Sequence, residues 1–189
     1  MFKLKTLALS ALFLMGCIQA QAEDPRVEVD TTHGTFILQL DAENAPISTA
    51  NFIQYVKDGH YTETAFHRVI AGFMAQGGGY DLDLQQKETR DPIENESKNG
   101  LSNLRGTISM ARTNQPHSAS AQFFINLVDN ARLDGTEYTW GYAVFGKVVE
   151  GMEVLDDIAK IPTGPGPEGT FRSDVPQSAA FVKTMKVID

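Results

Sequence analysis

A mainly β domain carrying two α-helices is the fold class the sequence predicts, and three observations predict it. Short apolar runs recur between glycines at 66–70, 73–76, 107–111, 123–127 and 143–149, and closely spaced strands with frequent turn signals belong to a sandwich or a closed barrel. Apolar residues at helical spacing occur in only two stretches, one between Pro46 and Gly59 and one over 151–159. The chain has 189 residues, 42% of them apolar, which fills one core and falls short of two. No internal repeat or interdomain linker divides it.

The elements follow in order. Val27-Glu28-Val29-Asp30-Thr31 alternates apolar with polar, and the alternation resumes over 35–40 after His33-Gly34, so a hairpin opens the fold. Asn44-Ala45-Pro46 reads as a cap with proline just inside a helix, Ala50, Ile53 and Val56 supply its apolar face, and Gly59 stops it. Residues 77–106, polar and rich in Gly and Asn, form a long surface excursion. Met152, Leu155, Ile158 and Ala159 give a second helix. Gly164-Pro165-Gly166-Pro167 is a loop. Residues 181–188 make a last strand, with Phe181, Lys183, Met185 and Val187 on one side and Val182, Thr184, Lys186 and Ile188 on the other. Pattern alone leaves open which side faces the core.

The formal charge is −8, and no block of Lys and Arg interrupts it, which argues against nucleic acid as a partner. Near the N-terminus Lys3 and Lys5 precede a nearly continuous apolar run over 7–18, and small residues follow at Ala20 and Ala22. This is the pattern of a signal peptide over 1–22 with cleavage after Ala22, leaving a domain over 23–189 in the periplasm. The run is shorter than the ~20 residues that span a bilayer. Leu14-Met15-Gly16-Cys17 also resembles a lipobox, so a lipoprotein anchored through Cys17 is the alternative, and the only route by which this chain would meet a membrane. Cys17 is the single cysteine, so the exported domain has no thiol, disulfide or Cys-based metal site.

Several kinds of chemistry are excluded. The chain has no Gly-x-Ser-x-Gly elbow and no phosphate loop, and Gly77-Gly78-Gly79 lacks the later glycine of a dinucleotide fingerprint. His33, His60, His67 and His117 are scattered and form no metal-ligand spacing. No cofactor is called for. What remains is Phe66-His67-Arg68-Val69-Ile70 followed by Gly72-Phe73-Met74-Ala75-Gln76-Gly77-Gly78, an arginine and a glutamine set among aromatics and methionine.

Those segments, taken with Gly106-Thr107-Ile108-Ser109-Met110-Ala111, Gln122-Phe123-Phe124-Ile125 and Leu133-Asp134-Gly135, resemble the cyclophilins, and within them the bacterial periplasmic branch. The resemblance implies a closed eight-stranded antiparallel β-barrel capped by two α-helices, and peptidyl-prolyl cis/trans isomerase activity (EC 5.2.1.8). By position Arg68 matches the family's catalytic arginine. Phe73, Met74, Phe124 and Leu133 match the walls of its proline pocket, and Gln76 and Gln122 the polar groups that flank it. Ala111, Arg112 and Thr113 fall on the edge that binds the peptide backbone, and Tyr142 stands where many relatives have histidine. Arg132 replaces a frequent tryptophan that helps bind cyclosporin, which implies weak sensitivity to that drug; Arg112 replaces a frequent asparagine, and Ala71 a frequent proline. The implied partners are proline-containing exported polypeptides that are unfolded or folding, met by a monomer. Two other readings remain open from the sequence: a proline-segment-binding chaperone module with little turnover, and an unrelated secreted β-barrel that binds a small ligand.

Overall fold

The computed structural model describes residues 24–167 and 171–188. The segment read as a signal, with Cys17 and the expected cut after Ala22, lies outside the described residues. The chain opens as a hairpin of β1 (Arg26–Thr31) and β2 (Gly34–Leu40), in which Thr31 pairs with Gly34 across a two-residue turn. Then come α1 (Pro46–Lys57), β3 (Thr64–Ala65), β4 (Arg68–Ile70), β5 (Met74–Gly77), β6 (Thr107–Met110), β7 (Phe123–Asn126) and a 3-10 turn over Ala131–Leu133. The chain ends with β8 (Val144–Glu150), α2 (Met152–Ala159), β9 (Thr163–Gly164), β10 (Val175–Pro176) and β11 (Phe181–Ile188).

Nine strands form one antiparallel sheet in the order β3-β11-β1-β2-β8-β6-β7-β5-β4, and β9 and β10 pair apart as a small ribbon. The two ends of the order, β3 and β4, are consecutive pieces of a single stretch of chain. Its first half pairs with β11 and its second with β5, so the sheet curls round on itself. Phe66 and His67 interrupt that stretch. The amide of Phe66 donates to the Ala180 carbonyl at 2.9 Å and that of Val69 to the Asp174 carbonyl at 2.8 Å. This interruption is why nine strands stand where the resemblance implied eight.

Alternation along each strand sends one set of side chains inward. Val29, Leu38, Val69, Ile108, Phe123 and Phe145 fill the interior with no exposed surface, as small barrels require. From α1, Phe52 packs edge-on to Phe123 at 5.7 Å and tilted against Phe145 at 5.3 Å. α2 contributes Val154, Leu155 and Ile158.

Two expectations about local structure need correction. The buried face of α1 is Ser48, Thr49, Phe52, Tyr55 and Val56, whereas Ala50 is exposed and Ile53 half-buried; two short polar side chains face inward there. Asn44 does not cap the helix: its amides donate to the Asp41 carboxylate, and the N-cap position is Ala45. The cap comes from Glu96 in the excursion, whose carboxylate accepts from the Ile47 amide at 2.9 Å and from the Ser48 amide and hydroxyl at 2.7 and 2.6 Å. The excursion is therefore pinned to the domain. The Arg90 guanidinium also stacks on Tyr55, 3.8 Å from the ring centroid, and Lys87 donates to the His60 carbonyl. At the other end Gly59, at φ +69, closes α1 as expected. Its amide donates to Val56 and that of His60 to Tyr55, the paired bonds of a left-handed glycine stop.

The last strand's ambiguous facing has a physical cause. Thr31 pairs with Val182 but Asp30 pairs with Thr184, so Lys183 is an extra residue that shifts the alternation by one. Val182 and Met185 consequently both point inward although they belong to opposite phases.

Glu96→Ala removes three charge-assisted bonds and leaves the first turn of α1 uncapped. It is expected to lower the unfolding free energy by about 1–3 kcal/mol in urea titration, with Glu96→Gln losing less.

Candidate active site

The residues that alternate with the barrel filling point outward, and on one flank they build a second apolar cluster. Arg68 on β4 pairs with Gln76 on β5, which pairs with Phe124 on β7; Ile70 pairs with Met74. All five lie on the outer face, one position out of phase with Val69, Ala75 and Phe123. Met74, Ala111 and Phe124 are buried at its floor, with Ile70, Phe73, Leu133 and Tyr142 packed around them. Tyr142 meets Phe124 edge to face at 5.6 Å. The four residues expected to wall a proline pocket thus converge on the outside of the barrel.

The polar groups border this hollow. Gln76 Nε2 donates to Gln122 Oε1 at 2.9 Å, so the two glutamines are joined. The glycine run makes room for them: Gly78 has φ +82, and a Cβ at Gly79 would collide with the Gln122 side chain. Nε of Arg68 lies 3.6 Å from Asp174 Oδ2, with the arginine side chain 41% exposed. At that separation the contact is an ion pair without a hydrogen bond. Among the described residues the Arg68 guanidinium has no hydrogen-bond partner, and its terminal amino groups are left for a ligand. Asp174, a non-glycine residue at φ +68, also accepts the Val69 amide through its carbonyl. Sequence reading missed it, because nothing local marks a residue that touches Arg68 only after β4 has been placed.

At the edge beyond Ala111, Arg112 lays its side chain back over the domain. Its Nε, Nη1 and Nη2 donate to the carbonyls of Gly141, Thr113 and Trp140 at 2.9, 2.9 and 2.8 Å, and its Cζ stands 4.7 Å from the Tyr142 ring centroid. The Arg112 side chain is thus a clamp on the loop that carries Tyr142. Thr113 is exposed, and its amide donates to the Ser118 hydroxyl while its carbonyl takes Arg112. Its backbone groups are already engaged within the loop.

A buried amide network supports the pocket from below, and sequence reading missed it too. Asn130 Nδ2 donates to the Phe73 carbonyl and to Asn126 Oδ1 at 2.9 and 2.8 Å, and Asn126 Nδ2 to Asn103 Oδ1 at 3.1 Å. Asn103 Nδ2 reaches Asp134 Oδ1 at 2.8 Å. The Leu133 amide donates to the Asn130 carbonyl and the Tyr142 amide to the Leu133 carbonyl, so both pocket residues hang from this network. Burial opposes ionisation of Asp134, but the Ser102 hydroxyl and the Asn103 donors outweigh it and hold the carboxyl below its ordinary range. A cavity of about 590 Å³ lies elsewhere, between Phe66, Leu84 and the segment around Pro165 and Val175; it includes none of these groups.

With this geometry in place, comparison with known proteins places the chain. Residues 26–187 match the family profile of the cyclophilin type peptidyl-prolyl cis-trans isomerases, and the chain belongs to that family. Peptidyl-prolyl cis-trans isomerase A of Dickeya dadantii is 51% identical over 167 residues, covering 87% of this chain and 88% of that one. Peptidyl-prolyl cis-trans isomerase B of Escherichia coli is 45% identical, covering 85% of this chain and 98% of that protein. A cyclophilin type isomerase of Cryptosporidium parvum, determined in the presence of the dipeptide Ala-Pro, has a TM-score of 0.70 and 25% identity, covering 87% of this chain and 99% of that one. The chain is a peptidyl-prolyl cis/trans isomerase.

His67, beside Arg68, is 3% exposed. Its ring packs against Tyr80 at 4.5 Å and Phe171 at 5.6 Å, and its Nδ1 has no hydrogen-bond partner. Burial lowers its pKa to about 4, opposed in part by the Ala65 backbone and reinforced by the Arg68 charge. The ring next to Arg68 in the chain is thus neutral at pH 7. The unfolded chain takes up this proton near pH 6.5 and the folded chain only near pH 4, so stability is lost as pH falls through that window. His60, whose pKa burial also lowers, acts in the same direction. Urea titration is expected to show His67 contributing a loss on the order of 3 kcal/mol between those limits, and His67→Phe should flatten the slope.

Proposed function

We propose that Arg68 is the catalytic residue of this isomerase and that the outward hollow of Phe73, Met74, Phe124 and Leu133 receives the proline ring. The observation that carries this is a guanidinium with unpartnered amino groups at the border of an apolar pocket. Rotation about an X-Pro bond must cross a barrier of about 18–20 kcal/mol, set by amide resonance. No bond to another atom is made or broken, so no nucleophile is needed. In the twisted amide, resonance is lost and the prolyl nitrogen becomes pyramidal and more basic, which makes it an acceptor for the Arg68 amino groups. That interaction grows only as the bond twists, and this condition lowers a barrier where uniform binding does not.

The pocket anchors the ring while the acyl side turns. Gln76 and Gln122, already hydrogen-bonded to one another, present further polar groups to the substrate backbone. Ala111, Arg112 and Thr113 form the edge along which the preceding residues lie, with the Arg112 backbone nearest at hand, since the Thr113 amide and carbonyl are spent inside the loop. Tyr142 closes the far wall. The clients are proline-containing segments of exported polypeptides. The protein works as a periplasmic monomer over 23–189, freed from its signal after Ala22; Lys3, Lys5, the apolar run and Ala20-Gln21-Ala22 support export.

Proline exchange in a short Ala-Pro peptide, followed by NMR, tests the catalytic assignment. The native protein is expected to accelerate exchange, and Arg68→Ala to lose about a hundredfold or more in kcat/KM, with Arg68→Lys also impaired because an ammonium lacks the planar fork. Peptide binding without exchange in the native protein would overturn the assignment. The mass of the protein recovered from a bacterial periplasm should correspond to a chain beginning at Glu23; a lipid-modified chain beginning at Cys17 would refute soluble export.

A further inference from the structure

Arg112 and Arg132 flank the hollow, and neither meets a carboxylate. Arg132 is exposed, with its Cζ 4.6 Å from the centroid of Phe73, and among the described residues it has no hydrogen bond or ion pair. Arg112 stands over Tyr142 and spends its donors on three neutral carbonyls, which leave its charge uncompensated. The neighbouring acids are otherwise engaged. Asp134 is held by Ser102 and Asn103, Asp129 accepts the Arg105 amide, and Asp174 faces Arg68. A chain of formal charge −8 thus carries, at the rim of one apolar hollow, two guanidinium groups that pair with no carboxylate, each over one of its aromatic rings.

We propose, resting on the reading of this hollow as the prolyl site, that Arg132 selects clients with an Asp or Glu directly before or directly after the isomerised proline. Stacked on Phe73, the guanidinium is desolvated on one face and held in orientation, while its edge donors remain open to solvent. That is the geometry in which a planar fork takes a carboxylate. A lysine placed there on the client would meet the same rim as repulsion, so one charge both attracts and rejects. Arg112 adds to the field with three of its five N–H donors already spent on neighbouring carbonyls.

The test uses three matched peptides with Glu, Gln or Lys directly after the proline, and three more with the substitution directly before it, measured by NMR exchange at low ionic strength. For an exposed, solvent-screened pair the Glu peptide should exceed the Lys peptide in kcat/KM by about three- to tenfold in at least one set, and salt near ~0.5 M should pull the ratio toward one. In Arg132→Glu the ratio should fall to one or invert. Because the ratio is read within each protein, any general loss of activity cancels. Equal turnover of all three peptides by the native protein, or an unchanged ratio in Arg132→Glu, overturns the preference and leaves the prolyl site standing. Failure of the native protein to turn over even the Gln peptides overturns the site and the preference together.

Discussion

The pairing of β4 with β5 and of β5 with β7 is the constraint on which the rest of the site depends. Each strand is three or four residues long, yet their register places Arg68, Gln76 and Phe124 in one row. Period-two alternation then divides the same three strands between two tasks. Val69, Ala75, Phe123 and Ile125 complete the barrel filling, and Arg68, Met74, Gln76 and Phe124 make the pocket. A slip of one residue would send the arginine into a closed apolar interior and the core residues into solvent. The stability of the barrel and the geometry of the site are thus specified by the same ladder bonds.

That coupling explains where polar groups are tolerated. The interior is mostly apolar, its polar side chains being short hydroxyls such as Thr31 and Thr49, and the buried amides of Asn103, Asn126 and Asn130 lie on the pocket side, linked to one another and to backbone carbonyls. A network satisfied in this way is rigid. It suits the support of Leu133 and Tyr142, which hang from loops and lack ladder bonds of their own. The one buried side-chain atom without a partner, among the described residues, is Nδ1 of His67, the residue before Arg68. Its burial keeps the ring neutral, so the charge presented outward is that of the arginine.

Much of this was legible in the residues. The apolar runs between glycines marked the strands, the spacing at 151–159 marked α2, and Gly59 ended α1 where a left-handed residue was required. The four apolar residues that converge on the outer hollow were singled out because their order along the chain resembles a known family. Less local features were not legible. The cap on α1 comes from Glu96, and Asn44, the obvious local candidate, turns away to Asp41. The bulge at Lys183 changes the phase of β11 halfway along, and no strand pattern read in isolation can show where a phase change falls.

Period, composition and turn chemistry are properties of neighbouring residues, and so the sequence by itself determined the β-rich class, both helices, the single core and the identity of the residues available for chemistry. Tertiary structure alone decided which of those residues meet. Asp174 beside Arg68, Arg112 clamped across Gly141 and Trp140, Arg132 on the face of Phe73 and the asparagines beneath the pocket are all contacts between segments far apart in the chain. Such contacts arise when a curled sheet brings its two ends together, and no local preference encodes which side chains will then face each other.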